Sequence, residues 1–533
     1  MYNNYTPLQQ RQLALQEYSN TQSTYLLVCA PARSTALKAT LTDQLHRKFR
    51  LVDRLDGELT ASVDGVLLAA EDVELMSTAL MYFAKALQDG ADYAVCNAVF
   101  GFGGATALYQ SQPLQAQNRC AVVSRTLLER CRAAAHDPEN VPELLALAAQ
   151  LCTKPTLIPQ ALLHYERGIC AEDAFSAHGK RAFIMSHVLD MTGAPIVLVS
   201  AVPVLRSMGY EVLVLGPSDG GSLHLFLDAG ASVITRSSCR NVSDAWGMAL
   251  CADFVIANTV VMARAVRALS GTAVPVLWWL HDAFAGYPHI AHQIPTQLGE
   301  NVRVYSVGSH AANAMHAVRP EFEIRPLIYG LPDYAAENFV RTDLGYNRDR
   351  PLFATVGSFE RRKGHDIFCK AIRLLPPEVR EKASFLFVGQ AADKEMMDSV
   401  RTLTADYPEN VYYCKRLTRD EIKSLMEQCT GLVCASRDDP MPTFVTEGLI
   451  FGKPSIVSEH TGTAGLISEG RNGFVYHNDD PQQLAVLLEH AIEHPEELAS
   501  MRTECRKMYE QYYSKEAFEQ TLRAAVEDLT AKK

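Results

Sequence analysis

The chain has 533 residues, of which 48% are hydrophobic and 21% are charged, and its formal net charge is −11. This length is too great for one hydrophobic core, so two to four domains are expected. The acidic balance argues against a nucleic-acid binder, because such a protein needs a basic face.

The cysteines and the N-terminal residues indicate the cellular compartment in which the protein is expected. The 13 cysteines are scattered and contain no C-x-x-C pair, which predicts reduced thiols in a cytoplasmic protein. The first residues lack the charged and apolar regions of a signal peptide. The longest apolar run, 194–205, is too short to span a bilayer. We therefore expect a cytoplasmic protein, and peripheral contact with the inner face of the membrane is left open.

Residues 1–165 form the first predicted domain, with strands expected at 24–29, 63–68, 91–97 and 156–165. This order resembles a shortened, degenerate GT-A domain of the family 2 glycosyltransferases. The metal-binding D-x-D motif of that family would fall on residues 69–71, where Ala69 cannot bind a metal and only Glu71 is acidic. Asn97 stands where those enzymes often have Asp. An unrelated α/β accessory domain is the alternative, and contact with a membrane or a partner protein through this domain is left open.

Two stretches of alternating strand and helix patterns follow, at 178–335 and 345–512. This alternation predicts two domains, each with a parallel sheet covered by helices on both faces. The intervening residues, 325–350, are rich in Pro, Gly, Asp and Asn and predict a linker. A last helix is expected at 514–530, within a C-terminal segment 513–533.

A basic motif follows the predicted strand 352–356. Gly357 ends the strand, Arg362 and Lys363 come together in a short loop, and Gly364 lets the next helix start tightly. Two fixed cations beside a helix N-terminus can neutralise the charge of a leaving diphosphate. The alternative is a solvated basic turn.

An acidic motif follows the predicted strand 431–435. Asp439 lies in the loop after this strand, and two prolines then open a short helix that carries Glu447. The first turn of that helix, at Thr443 and Phe444, presents free backbone N–H groups to an anion. Two carboxylates eight positions apart would flank a phosphate-sized pocket, as a nucleotide-sugar site requires. The alternative is a helix cap at Asp439 and a solvated Glu447.

Together the two motifs resemble the family 4 retaining glycosyltransferases, whose E-x7-E motif lies on such a strand, loop and helix. Asp439 here takes the position of the first glutamate, and Ser358 stands where many members have Arg. The resemblance covers about residues 178–530. It implies the GT-B fold, in which two Rossmann-like domains face each other and the last helix crosses back to the first domain.

The resemblance also implies roles for individual residues. Asp439 would orient the sugar hydroxyls, Glu447 would bind the ribose, and the amides of the helix start would bind the diphosphate. His281 ends a strand in an apolar–His–acid pattern and would contact the donor sugar or polarise the acceptor. The predicted catalytic residues are Lys363, Asp439 and His281. The predicted donor-binding residues are Gly193, Arg362, Lys363, Arg416, Asp439, Thr443, Phe444 and Glu447.

A retaining, metal-independent hexosyltransferase is the function that the resemblance implies. It would move a sugar from a nucleoside-diphosphate sugar to a glycan or lipid-linked acceptor, in the biosynthesis of surface polysaccharide or glycoconjugate. No cofactor and no metal are expected. Two other classes stay open: a catalytically inactive GT-B protein that binds or scaffolds, and a nucleotide-sugar epimerase, which would lack the paired motifs.

Overall fold

The computed structural model describes residues 23–30, 34–42, 44, 46–55, 62–70, 73–101, 106–110, 119–165, 179–218, 220–236, 239 and 248–531. Glu71, the acidic residue of the predicted D-x-D position, lies outside these residues. The chain divides into two compact units, 2–255 and 256–533.

The unit 2–255 is an α/β structure. Its strands are β1 (Leu26–Cys29), β2 (Phe49–Val52), β3 (Gly65–Ala69), β4 (Glu74–Leu75), β5 (Tyr93–Gly101), β6 (Thr106–Gln110), β7 (Cys120–Ser124), β8 (Pro155–Tyr165), β9 (Lys180–Met185), β10 (Tyr210–Gly216) and β11 (Ser232–Arg236). Its helices are α1 (Thr35–Leu41), α2 (Ala79–Gln88), α3 (Arg125–Ala134), α4 (Val141–Leu151), α5 (Gly193–Ser207) and α6 (Leu223–Asp228).

The strands of this unit form a mixed sheet in the order β9-β10-β11-β6-β5-β7-β3-β1-β2, with β8 beside β5. β1 is parallel to β2 and β3, whereas β7 is antiparallel to β3 and β5. β6 pairs antiparallel with β11, so that Tyr109 lies opposite Val233. Strands from both sides of residue 165 therefore share one sheet. The GT-A resemblance of residues 1–165 stays a prediction.

The central strands of this sheet are buried on both faces. In β1, Leu26 and Val28 belong to one apolar cluster, and Leu27 and Cys29 belong to another. Helix α2 packs into the first cluster, and helices α3 and α4 pack into the second. This explains why β1 is a continuous apolar run rather than an alternating one.

The unit 256–533 carries the predicted linker and both motifs. Its strands are β12 (Phe254–Asn258), β13 (Val276–Leu280), β14 (Val302–Ser306), β15 (Ile324–Pro326), β16 (Leu352–Val356), β17 (Ser384–Val388), β18 (Val411–Cys414), β19 (Gly431–Cys434), β20 (Ser455–Ser458) and β21 (Gly473–Tyr476). Its helices are α7 (Ala263–Leu269), α8 (Ser309–His316), α9 (His365–Leu374), α10 (Pro377–Arg380), α11 (Lys394–Asp406), α12 (Arg419–Gln428), α13 (Thr443–Ile450), α14 (Pro481–Glu493), α15 (Pro495–Ser500), α16 (Arg502–Met508) and α17 (Lys515–Thr530).

Two runs of strands organise this unit. β12 to β15 lie in the order β15-β14-β13-β12, and a separate parallel sheet has the order β18-β17-β16-β19-β20-β21. In the second sheet Phe353 of β16 lies opposite Gly431 of β19. The carboxyl ends of β16 and β19 are therefore side by side, and the loops that follow them start at the same edge of the sheet.

Local sequence signals set the helix ends. α12 begins with a capping box, in which Thr418 and Glu421 bond to each other's backbone amides. Asp480 likewise caps α14, at 2.9 Å from the Gln483 amide. The last helix, α17, packs back on β13 through ring stacking between Phe518 and Trp279, with centroids 5.9 Å apart.

Candidate functional site

The candidate site is built by the loops that leave β16 and β19, residues 357–364 and 435–442. Gly364 in the first loop has a φ of +66°, and a Cβ there would lie 1.8 Å from the carbonyl oxygen of Ala435 in the second. Only glycine permits this conformation and this approach together. The close contact brings the predicted basic and acidic motifs to the same place.

Lys363 and Asp439 form an ion pair between these loops. Lys363 Nζ lies 2.6 Å from Asp439 Oδ2, and the two side chains are 21% and 4% exposed. The carboxylate of Asp439 also accepts hydrogen bonds from the Met441 amide at 3.3 Å and from the Ser436 hydroxyl at 3.4 Å. Two of the predicted catalytic residues are thus in direct contact, and several donors fix the orientation of the Asp439 carboxylate.

Arg362 joins the same two loops. Its Nη1 donates to the carbonyl oxygen of Asp438 at 3.0 Å, and its Nη2 donates to Glu360 at 2.9 Å. The backbone amide of Arg437 donates back to the Arg362 carbonyl oxygen at 2.8 Å. A guanidinium held in this way beside Lys363 has the fixed geometry that suits a diphosphate.

His365 follows the basic loop without adding to its charge. The side chain is buried, and burial together with the nearby Lys363 charge lowers its pKa to about 3. Neither ring nitrogen has a hydrogen-bond partner in the part of the chain that the structure describes. The imidazole is therefore neutral at physiological pH, and the positive charge of the loop comes from its Arg and Lys side chains.

The helix α13 carries the backbone amides that the sequence predicts as an anion site. It begins after Pro442, and the amides of Thr443 and Phe444 lie in its first turn, where N–H groups lack an intrahelical acceptor. Thr443 is exposed and Phe444 is buried. The exposed start of the helix can therefore offer backbone donors to an anion.

Glu447, one turn further along α13, is paired with Arg419. Arg419 Nη1 lies 2.6 Å from Glu447 Oε1, and the side chains are 34% and 12% exposed. The sequence did not predict this ion pair. Arg419 is the first residue of α12, and the helix dipole disfavours a cation at a helix N-terminus. A cation at this position therefore indicates that a carboxylate partner lies nearby.

His281 comes directly after β13, and its ring centroid lies 4.7 Å from that of Trp279. The next residue, Asp282, accepts a hydrogen bond from the Val260 amide at 2.6 Å. Burial raises the pKa of Asp282 to about 6. The contact of His281 with a donor sugar stays a prediction.

Asp438 is a site residue that the sequence analysis did not identify. Its carboxylate accepts from His310 Nε2 at 2.7 Å and from the amides of Phe284 and Ala285 at 3.1 and 2.8 Å. Burial alone would raise the pKa of Asp438, but these hydrogen bonds, led by that from His310, hold it below its ordinary value. Asp438 thereby ties the loop that follows His281 to the loop that contains Asp439.

Two further predicted site residues are on other elements. Gly193 is the first residue of α5 in the unit 2–255, and a Cβ there would meet no atom within 4 Å. Arg416 is exposed in the loop between β18 and α12. The donor-binding roles of both stay predictions.

Three further properties concern the described residues alone. Within the ranges given above, no group of three or more His, Cys, Asp or Glu side chains is arranged to hold a metal ion. None of the helices in those ranges is both long enough and apolar enough to cross a membrane. The described cysteines are free thiols.

Solved structures with the same fold are known. HepE from Anabaena in complex with UDP covers 66% of this chain and all of that protein, at a TM-score of 0.53 and 17% identity. Sucrose-phosphate synthase from Thermosynechococcus elongatus gives the same coverage and TM-score at 16% identity. These similarities confirm the predicted GT-B fold class, with two Rossmann-like domains.

Two family models match the chain on either side of the linker. Residues 178–321 match the model described as glycosyl-transferase family 4, and residues 337–508 match glycosyl transferases group 1. The chain contains a GT-B glycosyltransferase. The matches begin after residue 165, so they leave the predicted GT-A-like region untested.

A sequence relative agrees with this identification of the GT-B glycosyltransferase. An uncharacterized glycosyltransferase of Methanocaldococcus jannaschii is 26% identical over 197 residues, which are 36% of this chain and 53% of the relative. The chain thus spans about half the length of this relative. This relative agrees with the family models in being described as a glycosyltransferase.

Proposed function

We propose that this chain is a retaining glycosyltransferase that transfers a hexose from a nucleoside-diphosphate sugar to a hydroxyl group of a glycan or lipid-linked acceptor. The site lies in the loops after β16 and β19 and at the start of α13. The reaction class follows from the glycosyltransferase identification. Retention, donor and acceptor are part of the proposal.

The observation that carries the proposal is the contact between Lys363 and Asp439 at 2.6 Å, beside Arg362 and the exposed start of α13. A leaving diphosphate needs cations and N–H donors, and a sugar needs a fixed carboxylate for its hydroxyls. Both kinds of group meet here within two loops. HepE, a structural neighbour, has been solved with UDP-glucose, which supports a nucleotide-sugar donor for this fold.

Each group has a distinct task in the proposed reaction. The bond between the anomeric carbon and the diphosphate oxygen breaks while Lys363, Arg362 and the α13 amides stabilise the charge that develops on the phosphate. The acceptor oxygen attacks from the same face, and its proton passes to the departing phosphate oxygen. Asp439 orients the sugar hydroxyls. This scheme requires neither an enzymic nucleophile nor a metal ion.

Binding of the donor must change the partner of Lys363. In the structure its ammonium group is neutralised by Asp439, which is nearly buried. A diphosphate would share this ammonium group, and a sugar hydroxyl would take one oxygen of Asp439. The pair therefore keeps both side chains oriented until the donor arrives, at the cost of separating them partly on binding.

A catalytically inactive GT-B protein is the alternative function. Asp439 is one methylene shorter than the glutamate of the family motif, and Ser358 replaces a common arginine. In the structure Ser358 donates to Glu360 at 3.1 Å, so it has a local role in the basic loop. The Asp439 carboxylate retains its charge, which favours an active enzyme.

Incubation with a panel of nucleotide sugars tests the proposal. The full chain is mixed with UDP-, GDP- and ADP-hexoses, and nucleotide release is followed by chromatography. We expect slow hydrolysis of one donor, because water can replace the missing acceptor. Conversion of the sugar without nucleotide release would indicate an epimerase. Binding of a nucleotide sugar without turnover would indicate an inactive binding protein.

A further inference from the structure

Arg419 is the residue that fixes the carboxylate of Glu447. Its Nη1 donates to Glu447 Oε1 at 2.6 Å, and Glu447 has only 12% of its side chain exposed. The other carboxylate oxygen, Oε2, has no hydrogen-bond donor among the residues that the structure describes. One oxygen of Glu447 is thus occupied, while the second keeps its lone pairs for another donor.

Arg419 is itself held in place from the opposite side. Its guanidinium carbon lies 3.8 Å from the ring centroid of Tyr334, in the segment that links the two Rossmann-like domains. The residue before Tyr334, Asp333, accepts two hydrogen bonds from Arg506, at 2.8 and 3.0 Å. The guanidinium therefore lies over the Tyr334 ring and donates to the Glu447 carboxylate, and the residue before the ring is held by Arg506.

The position of Arg419 has an electrostatic cost. As the first residue of α12 it places a cation at the positive end of a helix, where the dipole disfavours it. Contact with an aromatic face and with a carboxylate offsets this cost. A lysine would satisfy the carboxylate as a point charge, but it lacks the planar group that stacks on Tyr334 and fixes the direction of the N–H bond.

We infer that Arg419 is a positioning residue: it holds Oε1 of Glu447 and so aims Oε2 at the ribose hydroxyls of the nucleotide. This inference rests on the proposed function, in which Glu447 binds the ribose. The ligand class is a ribonucleoside diphosphate, because its ribose offers two neighbouring hydroxyl donors to the free oxygen. Arg419 would then determine the selectivity for ribose over 2′,3′-dideoxyribose without contacting the sugar.

The test compares a ribonucleotide with its analogue that lacks both ribose hydroxyls. Dissociation constants of UDP and 2′,3′-dideoxy-UDP are measured by calorimetry for the wild-type chain, or of the corresponding GDP or ADP pair if that nucleotide binds more tightly. We expect the wild-type chain to prefer the ribonucleotide by about tenfold to a hundredfold, the effect of a hydrogen bond to a charged group. In Arg419→Ala this ratio should fall to about threefold or less, with little change in the affinity for the dideoxy analogue.

Two further variants complete the test. Tyr334→Leu removes the stacked ring but keeps both charges, and it should reduce the ratio partly. The matched control is Arg341→Ala. Arg341 makes two hydrogen bonds of 2.6 Å to Glu427, which lies in α12 like Arg419, and the Arg341 side chain is 74% exposed. Arg341→Ala should keep the wild-type ratio. Thermal melts show that each variant is folded.

The outcomes separate this inference from the proposed function. If the wild-type chain binds none of the nucleotides, the proposed function is wrong, and the inference fails with it. If the wild-type chain selects ribose and Arg419→Ala selects it equally well, the inference is wrong while the proposed function stands. Equal losses of affinity for both analogues in Arg419→Ala would mean that Arg419 contacts the base or the phosphates, and they would also overturn the inference.

Discussion

Lys363 pairs with Asp439 in the structure, and in the proposed reaction it also stabilises the diphosphate. The pairing distance of 2.6 Å and the low exposure of Asp439 show that the cation has a fixed position in the structure. Such preorganisation is the property that makes electrostatic stabilisation effective in an active site.

Lys363→Ala and Glu447→Ala should each lower kcat for donor turnover by a factor of about 10²–10³, the usual loss when one stabilising group is removed. Initial rates at saturating donor give the measurement. Lys394→Ala is the control, because this lysine is 92% exposed on the surface of α11. Unchanged rates in both site variants would remove the site assignment.

Lys363→Ala should also lower stability. It leaves the nearly buried Asp439 carboxylate without its cation, and removal of one partner from a buried ion pair costs about 3–5 kcal/mol. Thermal melts must therefore accompany the kinetics.

Asp438 predicts a pH dependence at the residue scale. Its pKa is held below the ordinary value in the folded protein, chiefly by His310, so its hydrogen bonds stabilise the fold fully above the unfolded pKa of about 3.9. This contribution is lost as the pH falls through the lower, folded pKa. The difference in free energy of unfolding between wild type and Asp438→Asn should shrink as the pH falls below about 4. A difference that grew with acidification would contradict the assignment.

At the scale of elements, the approach of two loops depends on one glycine. Gly364→Ala would place a Cβ 1.8 Å from the Ala435 carbonyl oxygen and would strain a residue with a φ of +66°. Gly345 is a matched control, with a φ of +74° and no atom within 4 Å of an added Cβ. Gly345→Ala should cost only the backbone strain, about 1–2 kcal/mol. Gly364→Ala should lower the free energy of unfolding by clearly more than this, as measured by denaturant unfolding. It should also reduce the initial rate of donor turnover. Equal losses of stability in the two variants would show that the loops separate easily.

Much of the site at this scale could be predicted from the sequence. The strands that precede the motifs are continuous apolar runs, and the caps of α12 and α14 are local signals, so the elements that carry Lys363 and Asp439 are readable from the chain. The His310–Asp438 contact joins residues 128 positions apart and depends on how the loops meet, which no local pattern encodes. The contact of Arg419 with the Tyr334 ring could not be predicted either, because it depends on where the linker runs.

At the scale of the whole molecule, residues 1–165 are not a separate sheet. β6 pairs with β11, so strands before residue 165 and after residue 179 form one ladder. The sequence patterns predicted neither β6 nor β11 as a strand, and the antiparallel contact between them links segments that are distant in the chain. Functional tests of this region are therefore better made by substitution in the full chain than by truncation, which would expose the edge of β11.

Metal independence is a prediction for the whole molecule. If Arg362, Lys363 and the α13 amides neutralise the diphosphate, donor turnover by the full chain should be nearly unchanged in excess EDTA. Activity is compared before and after dialysis against the chelator, with Mg²⁺ or Mn²⁺ added back. An absolute requirement for added metal would contradict the prediction and would direct attention to residues 1–165.

The central claim is transfer with retention from a nucleotide sugar, and the anomeric configuration of the first product tests it most directly. Proton NMR follows hydrolysis of an α-linked nucleoside-diphosphate hexose by the full chain, before the free sugar mutarotates. We predict release of the nucleoside diphosphate together with the α-anomer, and loss of both signals in Glu447→Ala. First appearance of the β-anomer, or an unaltered donor with every nucleotide tried, would contradict the account.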